Sequence, residues 1–167
     1  MTLLIRDATR EDMPAVLAIY NHEVLHSTAT YQYTLRTLAE QEDGFAARST
    51  PPYAFLVACD PAGTVLGFAS YGLYRPREGW RFACEHSVYV HKDHRGRGIA
   101  RMLMAPLMQR ARAGGLQTMV GVVDASNTAS VKLHESLGFA LMGIHERGGY
   151  KFDRWLDVAF VVAPLQS

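Results

Sequence analysis

The sequence predicts an α/β fold: a single domain, residues 1–167, with a mostly antiparallel mixed sheet of about seven strands flanked by helices. Three observations carry that prediction. Segments of helical and strand periodicity are interspersed along the chain. Two apolar runs, YAFLVACD and TVLGFASYGLY, are separated by Asp60-Pro61-Ala62-Gly63, which supplies hairpin turn chemistry. The stretch ALMGIHERGGYKFDRWLDVAFVV reads as a closing hairpin, and no repeat, linker or low-complexity segment divides the chain.

LLIRDAT is a short first strand. A helix follows from Thr9, with acidic residues in its first turn and Met13, Val16, Leu17 and Tyr20 at helical spacing. STATYQYTLR is polar and aromatic without a clean period, while TLAEQEDGFAARS forms a second helix before the Pro51-Pro52 break. After the hairpin and the polar loop RPREGW, FACEHSVYV is the next strand. A helix from about Gly98 to Ala113 then stops at Gly114-Gly115. LQTMVGVV is another strand, and SNTASVKLHESLGF a helix with an N-cap at Ser126 or Asn127 and an end at Gly138.

Apolar residues make up 49% of the 167, enough for one sizeable core in a chain too short for two ordinary domains. Lys and Arg number 17 against 16 Asp and Glu, so no global field draws the protein to nucleic acid or membrane, and any basic site is local. No window approaches the roughly 18 apolar residues of a membrane span, so a soluble, cytoplasmic protein is expected. Cys59 and Cys84 have no partners at ligand spacing and read as buried thiols in a reducing compartment. His22, His26, His91, His94 and His145 show no metal spacing and read as loop or surface residues; no metal is expected.

The chemistry concentrates in SVYVHKDHRGRGIARMLM, where a strand passes through Arg95-Gly96-Arg97-Gly98 into a helix. A glycine-rich turn at a helix N-terminus offers unpaired N–H groups and the positive dipole end to a phosphate, and Arg95, Arg97 and Arg101 add charge. The Walker spacing is absent, and Arg101 stands where a dinucleotide-binding loop needs its third glycine. From spacing alone, a tight turn with solvated arginines stays open beside a phosphate cradle.

Arg95-Gly96-Arg97-Gly98-Ile99-Ala100 resembles the Arg/Gln-x-x-Gly-x-Gly/Ala signature of the GCN5-related N-acetyltransferases. NTASVKLHESLGF is similar to that family's second cofactor segment, and EHSVYV, SVKLHESLGF and GGYKFDRWLDVAF resemble its phosphinothricin and methionine sulfoximine N-acetyltransferase branch. The similarity runs from about Ile5 to Phe160. It implies acetyl-coenzyme A as cosubstrate, with the main chain of Val88, Tyr89 and Val90 along the pantetheine arm, Gly96 to Arg101 at the pyrophosphate, and Asn127 and Ser136 as second-segment contacts. It also implies a small amino acid as acceptor, direct transfer in a ternary complex, and a homodimer.

Acetyl transfer to an amine requires a neutral amine, a polarised thioester carbonyl and a proton for the departing thiolate. Glu85, a carboxylate inside an otherwise apolar strand, is the candidate base, with pairing to a neighbouring Arg such as Arg81 as the alternative. His134, two helical turns after Asn127, matches the position of the branch's general acid; a packed or cofactor-contacting imidazole is the alternative. His86 alternates with Glu85 along the strand, so the two share a face only if a bulge intervenes. Arg75, Pro76, Arg77, Glu85, His86 and Ser87 are expected at the acceptor, with Arg75, Arg77 and Arg81 as carboxylate clamps. NHEVLHSTATY is read as a wall of that pocket, and Tyr150 and Trp155 as core or dimer packing. Two other functions stay open: acetylation of a polyamine, aminoglycoside or protein N-terminus, and a coenzyme A-binding sensor without turnover.

Overall fold

The computed structural model of the chain describes residues 3–166. One sheet holds seven strands in the order β1-β2-β3-β4-β5-β7-β6. They are β1 Leu4–Asp7, β2 Ala54–Cys59, β3 Val65–Leu73, β4 Ala83–Val90, β5 Thr118–Asp124, β6 Ala140–Lys151 and β7 Arg154–Pro164. Every neighbouring pair is antiparallel except β4 and β5. Four helices accompany the sheet: α1 Met13–His26, α2 Leu38–Arg48, α3 Ile99–Ala113 and α4 Thr128–Ser136.

Local chemistry sets the boundaries. The Asp12 carboxylate accepts from the Thr9 amide at 2.8 Å, and the expected helix start at Thr9 is a single 3-10 turn, Arg10–Asp12, before α1. Thr37 and Glu40 cap α2 reciprocally, each side chain accepting from the other's amide. Asp60 closes the β2–β3 hairpin by accepting from the amides of Ala62 and Thr64. Asn127 caps α4 through the Ser130 amide at 3.1 Å, and Gly138, at φ +90°, follows its last turn.

The central strands are buried on both faces, which is why β2 is an unbroken apolar run rather than an alternating one. On one face Leu56, Ala69, Tyr71 and Cys84 pack with Leu103 and Leu107 of α3. On the other, Phe55, Val57 and Phe68 pack with Met13, Val16 and Ile19 of α1. Both cysteines are buried and free, and burial pushes the Cys84 thiol up to about 12. No helix among the described residues is long and apolar enough to cross a membrane. Tyr150 and Trp155 lie at the surface, 42% and 54% exposed, which removes the core half of the reading made for them.

The feature that positions the site is a wedge. β4 pairs with β5 only from Ala83 opposite Thr118 to Glu85 opposite Val120. Beyond that point β4 follows β3 to Val90 while β5 follows β7 to Asp124, so the facing edges part. The irregular segment 27–36 straps the opening: Thr28 donates to Asp124 at 2.5 Å, and the buried Lys151 ammonium donates to the Ser27 and Thr30 carbonyls, both at 2.7 Å.

Candidate active site

Three cavities meet in the wedge. One of about 220 Å³ lies at the fork and takes in Glu85, His86, Ser87, Tyr31 and His134. A second, about 470 Å³, runs along Val88–Val90 to the glycine turn. A third, about 350 Å³, opens toward α2 and shares Ser87 and Tyr89 with the first.

Glu85 is half-buried, and its carboxylate makes no hydrogen bond or ion pair with any described residue. Burial pushes its carboxyl above the usual carboxylate range, opposed by the charges of Arg48 and Arg75; Arg81 is not among those charges. β4 keeps unbroken register with β3 from Cys84 to Val90, so no bulge intervenes and Glu85 and His86 face opposite sides. Both reach the same cavity because the neighbouring strand has gone.

His134 and His86 are joined Nε2 to Nε2 at 3.0 Å. His134 Nδ1 lies 2.7 Å from the Ser130 carbonyl oxygen, which can only accept, so Nδ1 carries the hydrogen. Nε2 of a neutral His134 is then an acceptor, and the proton between the rings belongs to His86. Burial holds both imidazoles below their ordinary pKa, His86 at about 3, with His134 adding to the shift. His86 Nδ1 is left buried without a partner. Gly121 of β5 makes room for the pair: a Cβ there would sit 2.8 Å from His86 Nε2 and 3.3 Å from His134 Nε2.

The second cavity has the features of an anion groove. Gly96 and Gly98 adopt φ of +73° and +77°, and a Cβ on either would meet nothing within 4 Å. No side chain caps α3, so its first-turn amides at Ile99, Ala100 and Arg101 face the groove free of a capping group. The β5-facing edge of Val88, Tyr89 and Val90 has no strand to pair with. Asn127 lines both this cavity and the first. The three arginines are each engaged within the chain: Arg95 pairs with the buried Glu23, Arg97 lies 3.3 Å from His94, and Arg101 donates to Ser136 at 2.5 Å. Ser136 and Arg97 line none of the three cavities; Ser136 instead fastens Arg101 to α4.

Arg75, Pro76 and Arg77 are exposed on the β3–β4 loop and line none of the three cavities, because that loop leaves the sheet at the closed end of the wedge. Arg75 lies over the Tyr74 ring and acts on Glu85 through charge alone, and Arg81 lies over Phe82. Of the early segment, Thr28 lines the second cavity, and Ala29, Thr30 and Tyr31 do wall the pocket. The Tyr31 hydroxyl is buried there without a partner, its pKa pushed up to about 12 by burial and the nearby Asp124. Arg48 carries no motif that marks it in the sequence, whereas Tyr31 ends the segment NHEVLHSTATY and Lys151 lies within GGYKFDRWLDVAF, neither string saying what the side chain does. His22 and His26 lie in α1 rather than in loops. No group of three or more metal-binding side chains occurs among the described residues.

A strand that leaves its neighbour beside a glycine turn opening a helix is an arrangement that comparison can test. The acetyltransferase (GNAT) family matches residues 13–139. The chain belongs to that family. It is 48% identical to the L-methionine sulfoximine/L-methionine sulfone acetyltransferase of Pseudomonas paraeruginosa, over 96% of this chain and 94% of that one. It is 40% identical to an L-amino acid N-acyltransferase of Escherichia coli, over 98% and 94%. The crystal structure of a phosphinothricin acetyltransferase from Sinorhizobium meliloti in complex with acetyl-CoA superposes with a TM-score of 0.95 at 36% identity, covering 98% of this chain and 89% of that one. The family's fold, with its mixed, mostly antiparallel seven-stranded sheet, is the fold of this chain.

Proposed function

We propose that this protein transfers the acetyl group of acetyl-CoA to the α-amine of a small amino acid such as methionine sulfoximine, methionine sulfone or phosphinothricin, by direct attack within a ternary complex. The observation that carries the proposal is Glu85: a half-buried carboxylate, without a partner, at the fork between a groove suited to a phosphorylated cosubstrate and a pocket suited to a small amine.

The groove fits acetyl-CoA because its two left-handed glycines leave open space before an uncapped helix, and because the free edge of β4 offers peptide groups to an amide-bearing arm. Gly96, Gly98, Ile99, Ala100 and Arg101 hold the pyrophosphate, Val88 to Val90 and Asn127 the arm, and Arg95, Arg97 and Ser136 brace the loop. Acetyl-CoA supplies an activated thioester. Glu85 accepts the ammonium proton on its carboxylate, a role that the upward push of burial on its pKa favours. His134 Nε2 accepts from His86 and holds no proton in the free enzyme, so His134 serves the leaving thiolate only after taking up the proton that Glu85 removes from the amine; an imidazole held below its ordinary pKa gives up such an added proton readily. Ser87 and the strap shape the acceptor pocket, and Arg75, on the exposed loop with Pro76 and Arg77, acts on it through charge.

The exposed apolar edge strand β6, with Leu141, Met142 and Ile144, supports a homodimer, and the buried free thiols of Cys59 and Cys84 support a reducing compartment. Sedimentation of the wild type should give a dimer, and Ile144→Lys a monomer.

The function is tested by incubating the protein with acetyl-CoA and methionine sulfone and locating the acetyl group by mass spectrometry. Acetylation of the α-nitrogen, with intersecting initial-rate lines, is expected. An acetylated enzyme with parallel lines would overturn direct transfer, and an unmodified amino acid would overturn the function.

A further inference from the structure

Arg48, the last residue of α2, lies across β3 at a place that glycine keeps open. Gly72 stands directly opposite Glu85 in the antiparallel β3–β4 pair. Side chains of directly opposed residues stand on the same face, their Cβ atoms about 4.5–5.5 Å apart. A Cβ on Gly72 would lie 3.3 Å from Arg48 Nε and 3.5 Å from its Cγ, so the arginine occupies the space that a side chain beside Glu85 would fill. Its guanidinium reaches Ser70 Oγ at 3.2 Å, and Ser70 is in turn opposite Ser87.

That contact is the one hydrogen bond Arg48 makes among the described residues, from a group with five N–H donors. It forms no ion pair with Glu85 within 4.0 Å, so a cation and an anion stand unneutralised in two adjoining cavities that share Thr30, Ser87 and Tyr89. The other arginine of the α2 cavity is spent: Arg36 donates to Gln41 at 2.7 Å and stacks 3.8 Å over the Tyr20 ring. An α-amino acid is the ligand this pattern matches, since its ammonium and carboxylate leave one carbon with opposite charge.

We propose that Arg48 is a specificity-determining residue that binds the α-carboxylate of the acceptor while Glu85 takes its amine. The assignment rests on the amino-acid acetyltransferase reading above and moves the carboxylate clamp from the β3–β4 loop to the end of α2. It explains why the site selects amino acids over simple amines: an acceptor lacking the carboxylate leaves a half-buried guanidinium unpaired.

The test compares methionine sulfone with its methyl ester in the wild type, Arg48→Met, Arg48→Lys and Arg75→Met, with acetyl-CoA affinity and melting temperature as controls. In Arg48→Met, kcat/KM for the acid should fall on the order of 100-fold, mainly through KM, while the ester changes less than about threefold. Arg48→Lys should recover part of the loss and serves as the probe if the methionine variant does not fold. An equal fall for acid and ester, or selective loss in Arg75→Met instead, would overturn the assignment and leave the function standing. Absence of wild-type turnover with either acceptor would overturn the function and this assignment together.

Discussion

His86 and His134 meet Nε2 to Nε2 at 3.0 Å in the interior, one on a strand and the other on a helix 48 residues later. The Ser130 carbonyl fixes the tautomer of His134, and that in turn fixes the tautomer of His86. Neither ring is charged near neutrality. Nitrogen NMR of the free protein should find His134 protonated on Nδ1 and His86 on Nε2, with His86 not titrating between pH 6 and 8 and His134 titrating below an ordinary imidazole. The consequence for stability has a definite sign. The unfolded chain takes up protons on both rings near pH 6.5, whereas the folded chain resists, His86 down to about 3. The pair's contribution is therefore complete above pH 6.5 and is lost as pH falls below it, by at most roughly 1.4 kcal/mol per pH unit for each ring. Chemical denaturation of wild type and His86→Phe across that range checks the slope.

Gly121 should tolerate no larger residue. Gly121→Ala forces a methyl against His86 Nε2 at 2.8 Å and Val161 Cγ2 at 2.9 Å, contacts that a strand held in register with β7, one residue past its last pair with β4, cannot readily relieve. We expect a loss of about 1–3 kcal/mol in urea denaturation together with separation of the two rings in the NMR spectrum.

Glu85→Gln isolates the proton acceptor. Turnover should fall by roughly 10²–10⁴-fold while acetyl-CoA affinity is retained, since the glutamine keeps the shape of the site but cannot accept the proton. In the wild type, kcat/KM should decline as pH drops through the raised carboxyl pKa of Glu85, because the protonated form is no base. The variant should keep only the limb that belongs to the acceptor's own amine. An unchanged pH profile would remove Glu85 from the mechanism.

Lys151 ties the strap to the last hairpin through the carbonyls of Ser27 and Thr30. Burial holds its ammonium below the ordinary lysine range, with Glu23 opposing. Lys151→Met leaves two carbonyls unpaired, so about 1–3 kcal/mol of stability should go with it. Because Ala29 to Tyr31 wall the pocket, KM for the acceptor should rise more than kcat falls, read from steady-state kinetics.

What the sequence made legible were features governed by neighbours along the chain. The Asp60 turn, the Asn127 cap and the glycines flanking α3 all act over four residues or fewer, and each turns up where residue chemistry puts it. The site depends on relations of another range. Nothing local says that β4 and β5 are parallel or that their pairing ends at Glu85, yet that ending makes the cavities and lets residues from both faces of β4 line one of them. Arg48 reads as an ordinary last-turn helical arginine until Gly72 is known to lie opposite Glu85. The loop arginines, conspicuous in the chain, are exposed in the fold, because a run of charges marks a surface and not which surface.

The measurement that tests the account most directly is coenzyme A thiol release from acetyl-CoA against methionine sulfoximine, methionine sulfone, phosphinothricin, ordinary amino acids, spermidine and an aminoglycoside. We predict turnover with the first three, and none with the two polyamines, whose positive charges would meet Arg48 and Arg75 beside Glu85. Turnover confined to spermidine or the aminoglycoside, or none with any acceptor despite bound acetyl-CoA, would contradict it.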